Sequence, residues 1–187
     1  YDGYGRGHVL ANDAAVLALQ AIPRRGVVVA GALDGSILAW DLIGHTASPA
    51  CVISTREGMN YRQLEPTQHA SGVTDLDYSD EYSFLLSAGC DREAFVWNPF
   101  VQRGFVGVLK GHKAPLVGIK VMGSSPEVVT ADEAGVVKIW DIRTLRPLQS
   151  YTMSLEAATA TQAPISALAT VASYDRILVG ADKVFAL

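Results

Sequence analysis

Three tryptophans end strand-like runs in this chain, at Trp40-Asp41, Trp97-Asn98 and Trp140-Asp141, and polar residues recur at fixed distances before them. Ten residues before Trp97 stands Ser87, and ten before Trp140 stands Thr130. Twenty-eight before the same two tryptophans stand His69 and His112. Six before Trp40 and Trp97 stand Asp34 and Asp91. Four residues after each histidine an apolar run begins, at Val73 and Leu116. A register shared at so many places marks one supersecondary unit used repeatedly, each copy burying its apolar face by stacking on its neighbours.

The same register extends to both flanks. It puts Asn12 at the histidine position and Ala30 at the hydroxyl position of a first unit, with a strand starting at Val16. In a last unit it puts Thr161 and Val179 at those positions, with a strand starting at Ile165. The chain therefore divides into four units, at about 12–55, 69–109, 112–152 and 161–187, and the outer two have lost polar members. The third unit has Ala134 where its aspartate should stand, so no carboxylate is expected beside His112. The chain stops at KVFAL, inside what reads as a strand, so it reads as part of a longer polypeptide.

The runs between these markers are short, β-branched or aromatic, and bounded by Gly, Asp, Ser or Pro: VLALQAI (16–22), GVVVAGAL (26–33), SILAWDL (36–42), FLLSAGC (84–90), EAFVWNPF (93–100), LVGIKVM (116–122), EVVTAD (127–132), VVKIWDI (136–142), ISALATV (165–171) and RILVGAD (176–182). Turns every eight to twelve residues point to an all-β chain. DAAVLALQAI could open a helix, but Pro23 and the strand that follows favour β.

At Lys110-Gly111-His112 and Val136-Val137-Lys138-Ile139-Trp140-Asp141 the chain closely resembles the WD-repeat family. The repeat of that family has Gly-His ahead of its first strand, Ser/Thr in the second, Asp in the next hairpin and Trp-Asp ending the third. The resemblance runs from about residue 12 to 187, with Gln68 and Ala134 as departures. It implies a β-propeller of four-stranded antiparallel blades, about four of them in this chain. Family propellers mostly have seven blades, so the resemblance implies a larger ring with its other blades elsewhere. A narrower likeness is carried by Asp91-Arg92, Val96 to Val101, Leu109 to His112, Thr130-Ala131-Asp132, Trp140 to Thr144 and Gln149. These segments resemble the large EF-hand-containing WD-repeat proteins of cilia and flagella. That likeness implies a scaffold of the axoneme, held by neighbouring proteins, with any EF-hands outside this chain. Trp140-Asp141-Ile142-Arg143 also resembles the pattern by which some WD-repeat proteins dock on a cullin–RING ubiquitin ligase. The alternative function is therefore a substrate receptor of such a ligase, with Arg143 at the contact.

His69, Ser87 and Asp91 are the residue types of a hydrolytic triad. Their setting is wrong for one. Ser87 sits inside an apolar strand, away from any exposed strained turn, and the set recurs in the next unit as His112 and Thr130. The pattern instead predicts a buried chain of hydrogen bonds from Trp97 through Ser87 and His69 to Asp91, matched at Trp140, Thr130 and His112 and in part at Trp40 and Asp34. The chain is thus expected not to be an enzyme. No cofactor is expected, because no P-loop, GxGxxG or HExxH occurs. No metal is expected either. Asp75, Asp77 and Ser79 have calcium-loop spacing, but Asp80 and Leu86 stand where Gly and Glu are needed.

Composition excludes other classes. The formal net charge of −4, with no basic stripe, argues against nucleic acid. No apolar run approaches the roughly 20 residues of a membrane helix, and YDGYGRGH has no signal core. Cys51 and Cys90 are expected as buried, reduced thiols. The expected partners are other proteins of a multi-subunit complex, without small-molecule substrate, in the cytoplasm and within it the axoneme. Partner contacts in propellers use loops, since the strands are consumed in the blades. The long segment between Trp40 and His69 carries Arg56, Glu57, Met59, Tyr61 and Arg62, a mixture of aromatic and Arg residues suited to an interface. The outermost strand of the first unit could be ACVIST or YRQLEP, and SLEAATATQAP (154–164) reads as a flexible connector.

Overall fold

The computed structural model describes residues 14–41, 51–52, 69–99, 105–153, 164–171, 176–181 and 184–186. Among the described residues, fifteen strands fall into four antiparallel sheets. Sheet 1 holds β1 (Val16–Ile22), β2 (Val27–Ala32), β3 (Ile37–Asp41) and β4 (Cys51–Val52). Sheet 2 holds β5 (Val73–Ser79), β6 (Phe84–Gly89), β7 (Ala94–Trp97) and β8 (Phe105–Leu109). Sheet 3 holds β9 (Leu116–Val121), β10 (Glu127–Asp132), β11 (Val136–Asp141) and β12 (Arg146–Thr152). Sheet 4 holds β13 (Ala167–Val171), β14 (Arg176–Gly180) and β15 (Val184–Ala186). Strands pair in sequence order within every sheet, so each sheet is a meander built from local hairpins. Among the described residues the helical content is one 3-10 turn, Pro23–Arg25, closed by Gly26 in the left-handed region at φ 62.

The sheets stack face to face in chain order, each seam with its own apolar core. Seam 1–2 gathers Val29, Ile37, Leu76, Leu85, Phe95 and Trp97 among others. Seam 2–3 gathers Leu86, Val96, Leu116, Ile119, Val128 and Trp140. Seam 3–4 gathers Val129, Val137, Ile139, Leu168, Ile177 and Val179. Alternation along a strand sends successive side chains to opposite faces. Leu85 and Phe95 therefore meet sheet 1, while Leu86 and Val96 meet sheet 3. Both faces of an inner sheet are buried, which is why β6, β7 and β10 read as continuous apolar runs instead of alternating ones.

Two outer strands, β8 and β12, escaped sequence reading. β12 is RPLQSYT and exposed at every position, so burial imposes no apolar pattern on it. Of the two candidates for the fourth strand of sheet 1, Cys51–Val52 pairs with β3, and YRQLEP lies outside the described residues. Cys90 is a free thiol, but it is half-buried in the turn after β6 instead of buried.

Candidate functional site

In sheet 2 the indole N–H of Trp97 donates to Ser87 Oγ at 2.9 Å. That hydroxyl lies 2.8 Å from His69 Nε2. On the other side of the ring, His69 Nδ1 is 3.0 Å from both carboxylate oxygens of Asp91. Asp91 also accepts the backbone N–H of Ala70 at 2.9 Å and of Glu93 at 3.2 Å. The donor count admits one neutral arrangement: Nδ1–H donates to the carboxylate, and Nε2 accepts from the hydroxyl, whose oxygen accepts the indole N–H. His69, Ser87 and Trp97 are buried, and the imidazole meets Phe95 edge to face at 4.3 Å. Gly89 makes the approach possible, since a Cβ there would collide with His69 Nδ1 and Asp91 Oδ1.

Sheet 3 repeats the arrangement with tighter bonds. Trp140 Nε1 donates to Thr130 Oγ1 at 2.7 Å, and that hydroxyl is 2.7 Å from His112 Nε2. The expectation of no carboxylate beside His112 is corrected here, because Asp132 Oδ2 lies 2.7 Å from His112 Nδ1. Counting back from the tryptophan led to Ala134, but the carboxylate has moved two residues toward Thr130. Asp132 occupies the place of Gly89, where a side chain points at the ring nitrogen. The two sheets thus reach one geometry by exchanging residues: glycine then aspartate in sheet 2, aspartate then alanine in sheet 3. Asp132 Oδ1 also accepts Val136 N–H at 2.9 Å. Burial pushes His112 below its ordinary 6.5, outweighing the upward pull of Asp132. Burial acts upward on Asp91, but the hydrogen bonds from His69 and from the Ala70 and Glu93 N–H groups hold the carboxyl below its usual value.

The WD domain, G-beta repeat family model matches residues 61–98 and 103–141, the two segments that end at the close of the third strands of sheets 2 and 3. The chain carries WD40 repeats. It superposes on the RRP9 WD40 repeats with a TM-score of 0.72 at 14% identity, over 91% of this chain and 46% of that one. It also superposes on the computationally designed Ika4 protein with a TM-score of 0.68 at 24% identity, over 95% of this chain and 92% of that one. It is 28% identical over 143 residues to cilia- and flagella-associated protein 337 B of Tetrahymena thermophila. That match covers 76% of this chain and only 10% of the relative, and a 25% identical match to transducin beta-like protein 3 of Rattus norvegicus covers 17% of that protein.

The outer sheets of this WD40 chain lack the full network. In sheet 1, Ala30 offers no hydroxyl, and Asp34 Oδ1 instead accepts the N–H and Oγ–H of Ser36 at 3.0 and 2.6 Å. Trp40 lies in β3 opposite Val28; its side chain is outside the described residues, as is Asn12. In sheet 4, Val179 fills the hydroxyl position and is buried in the apolar seam.

Sequence reading placed Asp75 and Asp77 on a strand but missed what they do. Asp75 Oδ2 accepts the N–H of Ile119 at 3.0 Å and pairs with Lys120 Nζ at 2.6 Å, and Asp77 Oδ2 accepts the N–H of Val121 at 2.8 Å. Two carboxylates on β5 thereby tie the inner edge of β9, linking sheets 2 and 3. Burial raises the Asp77 carboxyl against the opposing effect of the Val121 and Tyr78 N–H bonds. No counting rule finds this clasp, since other inner strands carry Ala18, Gln20, Gly118 and Lys120 at the matching places.

Arg143 bonds Asp141 through Nε at 3.1 Å and Nη2 at 2.8 Å. Those hydrogen bonds, with the Arg143 N–H and charge, bring the Asp141 carboxyl down to about 2. The other expected partner residues, Arg56, Tyr61 and Arg62, lie outside the described residues. Among the described residues there is no cluster of three or more His, Cys, Asp or Glu able to hold a metal, and no helix long and apolar enough to cross a membrane.

Proposed function

We propose that this WD40 chain is a non-catalytic protein–protein interaction scaffold of the ciliary axoneme. The carrying observation is the state of the two histidines. His69 and His112 are buried in networks that recur once per sheet, and the hydroxyl beside each ring is itself fully buried and accepts a tryptophan indole N–H, so no substrate can reach the hydroxyl that the imidazole would activate. His69, Ser87, Asp91, Trp97, His112, Thr130 and Trp140 act in this reading as braces between strands, and the exposed turns carry recognition. The ciliary assignment is supported by the 28% identity to a protein named as cilia- and flagella-associated.

Affinity purification of the tagged full-length protein from isolated flagella and from cytosol tests the proposal. Axonemal proteins are expected to be retained from flagella. Recovery of only a cullin–RING adaptor, lost on Arg143→Ala, would establish the ligase-receptor reading instead. That reading is weaker because the Arg143 guanidinium already makes two bonds to Asp141. A hydrolase activity abolished by Ser87→Ala would overturn the scaffold reading altogether.

A further inference from the structure

Among the described residues, the outermost strand of sheet 3 is unpaired along one edge. β12 pairs with β11 alone, and all seven of its residues are exposed. β8, the outermost strand of sheet 2, is shorter and keeps Gly107 and Leu109 buried. A free strand edge invites pairing with another chain, and proteins guard such edges with charge, proline or a bulge. In β12 those guards all sit at the start: Arg146, Pro147 and the register shift opposite Ile139 and Trp140. The stretch LQSYT (148–152) carries neither charge nor proline, and from Gln149 to Thr152 its register with β11 is regular.

The ladder fixes which backbone groups are free. Met153 N–H donates to Gly135 O at 2.8 Å, in register with Thr152 opposite Val136. Along an antiparallel strand, residues alternate between facing the paired strand and facing away from it. The N–H and C=O of Gln149 and Tyr151 therefore face β11, and those of Ser150 and Thr152 point outward. Two donors and two acceptors in line form a template for one more strand, about 4.8 Å beyond β12. The sheets stack through their faces, so a neighbouring sheet leaves this edge open. The face that carries Lys138 and Trp140 looks toward sheet 2, whose four strands are all described.

Charge points to what the added strand carries. Lys138 lies opposite Ser150 on β12, and its Nζ reaches Ser150 Oγ at 3.2 Å. Arg146 stands opposite Asp141, whose carboxylate Arg143 already holds. Among the described residues neither Lys138 nor Arg146 meets a carboxylate, whereas Arg24, Lys110, Lys120 and Arg143 each do. We propose that the outer edge of β12 docks an extended, carboxylate-bearing segment of a partner protein as a fifth strand of sheet 3, with its acidic side chains beside Lys138 and Arg146. The proposal rests on the scaffold reading and deepens it, by giving the scaffold a contact on its rim. Backbone pairing supplies the attachment, and the two cations select an acidic segment over a basic one.

A capped, fluorescently labelled peptide of alternating valine and glutamate, titrated with the full chain, tests this. Fluorescence polarisation should show binding, and amide hydrogen exchange at Ser150 and Thr152 should slow in the complex. The same peptide with lysine for glutamate should bind about tenfold more weakly, the worth of two exposed ion pairs. A fully N-methylated peptide, which cannot donate to the edge, should not bind. Ser150→Pro removes an outward N–H that the β11 ladder does not use, so it should abolish binding while keeping the circular dichroism spectrum and melting temperature of the parent. Arg146→Glu keeps every backbone donor and should shift the preference toward the lysine peptide. Failure of the glutamate peptide to bind at millimolar concentration overturns the proposal, as does binding that the N-methylated peptide matches or that Ser150→Pro leaves unchanged. A chain that instead dimerises through this edge, with the dimer lost in Ser150→Pro, would also overturn it, since the occupant would then be a second copy. Each of these failures leaves the purification of axonemal proteins untouched, so the rim contact and the scaffold role fail separately.

Discussion

Thr130→Val isolates the hydroxyl at the centre of the sheet 3 network. The two side chains have nearly the same shape, so the substitution leaves no cavity and removes only the hydrogen-bonding group. Thr130 is fully buried, and its Oγ1 lies 2.7 Å from both Trp140 Nε1 and His112 Nε2. With valine there, a buried indole donor and a buried imidazole acceptor both lose their partner. Each orphaned group costs about 1–3 kcal/mol, so the expected loss is roughly 4 kcal/mol. For a domain of this size each kcal/mol moves the midpoint by about 2–4 °C, which puts the expected fall in Tm at roughly 8–16 °C. Urea unfolding followed by tryptophan fluorescence, alongside thermal melts, reads both quantities. Thr130→Ser is the control: it keeps the hydroxyl and should lose only about 0.8 kcal/mol for the missing methyl. If the valine variant is within about 0.5 kcal/mol of the parent, a change of the size expected at an ordinary surface position, the hydroxyl does not bridge Trp140 and His112.

Three further outcomes follow from the same geometry. Asp91→Ala should cost less, about 1–2 kcal/mol, because Asp91 is only half-buried and water can replace part of what it gives Ala70, Glu93 and His69; thermal melts read this. Gly89→Ala should cost about 1–3 kcal/mol in urea unfolding, because the added methyl meets the fixed imidazole and carboxylate instead of open space. His112 links stability to pH. The unfolded chain takes up a proton at this residue near 6.5 and the folded chain only at lower pH, so its contribution is complete above 6.5 and is lost as pH falls toward the folded value. Melts between pH 7.5 and 5 should show the parent losing stability more steeply than His112→Gln.

Much of this fold is legible in the sequence because one physical demand repeats. Each of the two inner units must hold an indole, a hydroxyl and an imidazole in one buried line, and only a few residue types serve at each place. Hence Ser87 and Thr130, His69 and His112, and Trp97 and Trp140 stand at constant spacing. The carboxylate was harder to read because two neighbouring backbone positions reach the same nitrogen, so Asp91 and Asp132 do not share an offset. β12 was illegible for another reason: a strand exposed at every position is selected for solubility, which leaves no periodic apolar mark. The Asp75 and Asp77 clasp was hidden because its partners are backbone N–H groups, which every residue has.

The bracing role of the repeated polar residues is tested most directly by long-range proton–nitrogen NMR of the imidazole rings at neutral pH. His69 and His112 should both appear as neutral rings protonated at Nδ1, with ring protons protected from solvent exchange, and His112 should stay neutral as the pH drops below 6.5. Rings that exchange rapidly and populate both tautomers would contradict a buried, load-sharing network at either histidine, as would a His112 ring that gains a proton near 6.5.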